Sequence, residues 1–194
     1  MIASADQICT HRISIVAGHF GTGKTEFSVN LALDLAARGC KTMAEGLEVT
    51  WAPSYGPEMR GGTANCSVVL SDKPVGSPVF ARPTELIALN EPSLVKFEAN
   101  VLSGGTVFVN SDVVTDKVSR SDLKAVYIPC SKIAEEVGNP KVSNMVMLGA
   151  YVAETGILKP ETIETMIHEM FTGAKAKLVP LNIEAFKRGM ACVK

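Results

Sequence analysis

Residues 13–25 read Ile-Ser-Ile-Val-Ala-Gly-His-Phe-Gly-Thr-Gly-Lys-Thr. The run 13–17 is short and β-rich, and it feeds directly into a glycine turn. Residues 26–38 then carry a helical period: Phe27, Leu31 and Leu35 recur four apart on one apolar stripe, and Gly39 ends it. A strand, a glycine loop and a helix, in that order, open an α/β sheet.

The same alternation continues outward. Residues 47–51 read as a second strand and 67–71 as a third. The runs 85–89, 106–109 and 125–128 are short and apolar, as strands buried on both faces are. Helices are predicted over 92–101, where Pro92 suits a first turn, and over 131–137, 140–154, 160–171 and 183–190. The fold class predicted is α/β: a three-layer, mostly parallel open sheet with helices on both faces, Rossmann-like, with residues 1–194 in a single domain. One stretch is over-punctuated. Arg38-Gly39 and Glu45-Gly46 each end a helix, where one βα unit needs a single stop.

Bulk properties narrow the function. With 46% hydrophobic and 20% charged residues, the 194-residue chain has an ordinary globular composition. The net charge of −1 and the scattered Lys and Arg leave no nucleic-acid footprint. No apolar run reaches the roughly 20 residues that span a bilayer, so no membrane contact is expected. The first twelve residues lack the basic start and apolar core of a secretory signal, which predicts a cytoplasmic protein. Its five cysteines, at 9, 40, 66, 130 and 192, form no CxxC pair. They read as free thiols, without a zinc site or a cluster held by this chain. His168 has no second histidine at metal spacing, so no metal site is expected.

Gly18 to Thr25 fit GxxxxGK[ST]. In that pattern Gly18, Gly21, Thr22 and Gly23 turn backbone N–H groups towards phosphate oxygens. Lys24 reaches the terminal phosphates and the Thr25 hydroxyl helps hold Mg²⁺. The dipole of the following helix adds to the attraction. Residues 12–42, with Asn30-Leu-Ala32, resemble the start of P-loop ATP-binding proteins related to partitioning and cobyrinic-acid-type ATPases. Hydrolysis also needs an acid at a neighbouring strand end. The strand after the helix ends at Thr50-Trp51 without one; Asp72 and Asp112, each following an apolar run, are the substitutes available.

A second stretch, residues 54–66, reads Ser-Tyr-Gly-Pro-Glu-Met-Arg-Gly-Gly-Thr-Ala-Asn-Cys. Tyr55-Gly-Pro-Glu58 is turn-forming, and Gly61-Gly62 opens backbone angles closed to other residues. Glu58 and Arg60 sit on a loop after a strand, where open α/β sheets place their sites. A tight structural turn is the plainer alternative.

From about residue 43 onward the chain resembles the gamma subunit of 2-oxoacid:ferredoxin oxidoreductases. The residues that carry this are Leu47–Trp51, Pro53–Cys66, Val69-Leu-Ser-Asp72, Pro74–Pro78, Leu89-Asn-Glu-Pro-Ser93, Gly105–Asn110, Asn144–Gly149 and Asn182–Gly189. The resemblance implies an accessory subunit of a complex that oxidises pyruvate, 2-oxoglutarate or ketoisovalerate to acyl-CoA and reduces ferredoxin. It implies alpha, beta and ferredoxin-like delta partner subunits, with thiamine diphosphate and iron–sulfur clusters on those partners and no catalytic residue here. It makes Tyr55, Glu58, Met59, Arg60, Gly61, Gly62 and Asn65 an interface loop, and sets Asn110 near the coenzyme A phosphates. In that family the first strand runs into Gly-x-Gly-Gly-x-Gly, which Gly18–Thr25 replaces here, so these residues take the phosphates of coenzyme A or of ATP with Mg²⁺. The chain then reads as a P-loop-type segment, 1–42, joined to an oxidoreductase-type region, 43–194. The alternatives are a P-loop ATP-binding protein and a hybrid with neither function.

Overall fold

In a computed structural model, residues 10–17, 48–54, 64–77 and 79–193 are described. The predicted helix at 26–38 lies outside them. Six strands form one sheet: β1 (Thr10–Ala17), β2 (Glu48–Ser54), β3 (Ala64–Ser71), β4 (Glu85–Ala88), β5 (Thr106–Asn110) and β6 (Lys124–Ile128). Their order across the sheet is β2-β3-β1-β4-β5-β6. The pairs β1–β4, β4–β5 and β5–β6 are parallel, and β3 runs antiparallel to both β1 and β2.

Alternate residues of β4 and β5 feed two apolar layers. Cys66, Val68, Leu70, Ile87, Phe108 and Ile128 point into one, under helices α2 (Cys130–Val137), α3 (Ser143–Thr155), α4 (Pro160–Met170) and α5 (Val179–Ala191). Leu86, Ala88, Val107 and Val109 point into the other, with Leu94 of α1 (Glu91–Phe97). This is the expected three-layer, mostly parallel α/β plan with helices on both faces. Among the described residues no helix is long and apolar enough to cross a membrane.

Strands β2 and β3 each extend three residues beyond the sequence reading, and two helix boundaries depart from it for local reasons. The helix expected at 92–101 stops at Phe97, and Glu98–Asn100 tightens into a 3-10 turn. There the Glu98 carboxylate accepts hydrogen bonds from the Ser119 and Arg120 backbone N–H groups at 2.7 and 2.8 Å and from the Ser119 hydroxyl at 2.8 Å. Arg120 in turn donates to the Val101 carbonyl at 2.6 Å and pairs with Asp122 at 2.5 Å. The last helix begins four residues before the predicted 183, at Val179, with Pro180 in its first turn, the position proline favours.

α3 and α5 meet backbone to backbone. A Cβ built on Gly149 would stand 2.0 Å from the Phe186 carbonyl oxygen, and one on Gly189 would stand 1.9 Å from that of Val146. The obstacle is main chain on both sides, so no flexible side chain can give way. Gly149→Ala and Gly189→Ala are each expected to cost about 3 kcal/mol or more, read from urea unfolding midpoints; a loss below about 1 kcal/mol would contradict the packing.

The Arg120 guanidinium, and after it the Ser103 hydroxyl, hold the Asp122 carboxyl down to about 2. Its contribution is present above the ordinary Asp value of about 3.9 and is lost as pH falls towards 2. The stability gap between the parent and Asp122→Asn should therefore be constant at neutral pH and close between about pH 4 and pH 2. A pH-independent gap would remove Asp122 from this account.

Candidate functional site at the C-terminal edge of the strands

β1, β4, β5 and β6 share one direction, so Ala17, Ala88, Asn110 and Ile128 end on one edge of the sheet. β2 runs towards this edge and β3 away from it: Ser54 pairs with Asn65, and Ala64 pairs with Ala17. The stretch that begins at Gly18 and the stretch 55–63 are therefore anchored on neighbouring strands of one edge. Asn110 ends β5 two strands from β1, about 10 Å across the sheet. From β1 the chain goes on to β2, on one side, and from β4 through α1 to β5, on the other. The gap between the β1 and β4 ends is thus a topological switch point, where open α/β sheets bind ligands.

Of the sequence-predicted residues, Gly18, Gly21, Thr22, Gly23, Lys24, Thr25, Tyr55, Glu58, Met59, Arg60, Gly61 and Gly62 lie outside the described residues. Asn65 is half-buried in β3 and pairs with Val16. Asn110 is buried, 5% exposed. Its Nδ2 donates to the Ser131 hydroxyl and its Oδ1 accepts from the Asp112 N–H, both at a long 3.4 Å. Bonds of that length leave a carboxamide with capacity to spare.

Asp112 and Asp72, considered above as metal-organising acids, have other places. Pro129 gives α2 no side-chain cap, and the Asp112 carboxylate fills that role by accepting the Lys132 N–H at 2.8 Å. Asp72 follows the end of β3, which pairs with the start of β1, so it lies at the opposite edge. Among the described residues no three of His, Cys, Asp and Glu gather to hold a metal. Burial pushes the Cys66 thiol up to about 11, and burial, then Asp112, raises Cys130 further. Both are neutral, poorly nucleophilic thiols at physiological pH. Ser131 and Lys132 were not singled out in the sequence, because a helix start capped from a distant loop leaves no local signature.

Parallel strand ends that share one edge, with the chain order reversing between β1 and β4, define a doubly wound α/β subunit. The chain belongs to the pyruvate ferredoxin/flavodoxin oxidoreductase family, whose model matches residues 32–192. It is 36% identical over 176 residues to the ketoisovalerate oxidoreductase subunit VorA of Methanothermobacter marburgensis, covering 90% of this chain and 35% of that one. The chain thus spans about a third of the length of such VorA relatives. To the 2-oxoglutarate synthase subunit KorC of Methanocaldococcus jannaschii it is 37% identical over 150 residues, covering 76% of this chain and 78% of KorC. The crystal structure of the keto/oxoacid ferredoxin oxidoreductase gamma subunit from Geobacter sulfurreducens superposes with a TM-score of 0.74 at 28% identity, over 94% of this chain and 97% of that one.

A match over 90% of 194 residues leaves out about 19, so the likeness to VorA takes in residues 20–42 wherever it ends. The resemblance of residues 12–42 to a P-loop ATP-binding protein gains no support from these likenesses. On the geometry of the edge itself, Asp112→Ala should remove the α2 cap and cost about 1 kcal/mol in urea unfolding; no loss would mean that Lys132 N–H has another partner.

Proposed function

We propose that this chain is the accessory gamma-type subunit of a 2-oxoacid:ferredoxin oxidoreductase. That complex converts a 2-oxoacid and coenzyme A to acyl-CoA and carbon dioxide, and passes the electrons to ferredoxin. Thiamine diphosphate and the iron–sulfur clusters belong, in this reading, to alpha, beta and ferredoxin-like delta partners. Family membership supports the reading, and the likenesses to VorA and KorC favour a branched-chain 2-oxoacid or 2-oxoglutarate as substrate.

The observation that carries the site is the convergence at one edge of the β1 end, the β2–β3 ends and Asn110. In this reading Gly18, Gly21, Thr22, Gly23, Lys24 and Thr25 supply N–H groups and one positive charge to the phosphates of coenzyme A, and Asn110 adds its carboxamide. The spare hydrogen-bond capacity of the buried Asn110 carboxamide fits such a ligand. In the same reading Tyr55, Glu58, Met59, Arg60, Gly61, Gly62 and Asn65 make the contact with the partner subunits. The second reading, an ATP-binding switch, uses the same Gly18–Thr25 stretch and rests on its sequence pattern alone.

A tagged chain purified from its native cell separates these readings. Thiamine-binding and cluster-binding subunits should co-purify, the eluate should contain thiamine diphosphate, and Arg60→Ala should reduce recovery of the partners at least severalfold. Coenzyme A should raise the thermal midpoint of the complex, an effect lost in Lys24→Ala. A chain that purifies alone with bound ATP would overturn the assignment.

A further inference from the structure

The connection from β3 to β4 is longer than its path. In the sheet order β3-β1-β4 it crosses the starting end of β1, two strand spacings or about 10 Å. Residues 72–84 fully extended would cover about 40 Å, and no strand or helix is described among them. Surplus chain of that kind in a compact domain is usually functional.

The described part of this loop is held in shape. The Ser71 hydroxyl accepts from the Lys73 N–H and the Ser77 hydroxyl from the Val79 N–H, each at 3.1 Å. At the far end Pro83 is buried, and its carbonyl accepts the Leu102 N–H at 2.8 Å. With Val69 of β3 the loop borders a groove of about 590 Å³. Val69 is buried, Val75 and Phe80 are half-buried, and Val79 is 75% exposed. Val79 is not a scattered surface residue: it continues the apolar lining of Val75 and Phe80, the arrangement that marks contact sites.

Under β5 and β6 the same edge of the sheet is closed, because Glu98, Ser119, Arg120 and Asp122 bond to one another and to main chain. Under β3 it is open. Among the described residues Lys73 is the one charged side chain lining the groove, and none of their carboxylates pairs with it. Across residues 72–84, Lys73 and Arg82 against Asp72 leave one positive charge.

We infer that this groove is a docking surface for an extended segment of a partner subunit. The segment lays aliphatic side chains over Val75, Val79 and Phe80 and sets a carboxylate against Lys73. Apolar burial supplies the affinity, and the single charge pair fixes the register. The inference rests on the reading of this chain as one subunit of a larger complex. It adds a contact at the edge opposite the 55–65 loop.

In the complex purified through a tag on this chain, zero-length carbodiimide coupling should join Lys73 to an aspartate or glutamate of a partner subunit, read by mass spectrometry of the digest. Burial of a valine is worth about tenfold in affinity, so Val79→Asp should cut recovery of that subunit about tenfold or more. Lys73→Glu should cut it severalfold, and Lys73→Arg should behave as the parent. Full recovery with both Val79→Asp and Lys73→Glu would overturn the inference. So would Lys73 coupled to nothing, to this chain's own carboxylates or to a second copy of it. If Arg60→Ala loses the partners while Val79→Asp keeps them, this docking surface alone fails. If the parent purifies without partners, the reading as a subunit fails with it.

Discussion

The close passage of α3 over α5 at Gly149 and Gly189 governs more than those two residues. Main chain meets main chain there, so the two helices sit as one slab on the sheet. Phe186, fully buried, shares an apolar layer with Phe108, Met145 and Val146. With the slab fixed, Tyr151 meets Phe108 and the start of α3 reaches the strand ends. A wider crossing would move both the slab and the polar residues at its tip. The glycines set the position of the α3 tip through packing.

The two edges of the sheet are built differently. At the N-terminal edge Glu98, Ser119, Arg120 and Asp122 bond to one another and to nearby main chain, which leaves little capacity for an outside molecule. At the C-terminal edge the hydrogen bonds of Asn110 are long and Asn144 has none among the described residues. Paired groups stabilise a fold; spare groups at a strand edge mark where a ligand can be bound.

Much of this was legible in the residues. The strands were found because 85–88 and 106–110 are short apolar runs with both faces buried, and no other element fits four or five such residues. The antiparallel course of β3 was not, since an apolar run carries no direction and the nine residues 55–63 between its hairpin partners lack the two-residue turn that announces one. The early start of α5 was hidden because Leu178 offers no cap. Asp112 looked like a metal-organising acid because a carboxylate after a strand is the usual sign of one; only the fold brings Lys132 to it. Asn110 came from the family resemblance.

Hydrogen exchange on the intact complex, with and without coenzyme A, tests the central claim most directly. The ligand should slow exchange at residues 64–66, 89–93 and 110–114, and leave 98–105 and 118–124 unchanged. Protection confined to the opposite edge, or none on this chain, would contradict it.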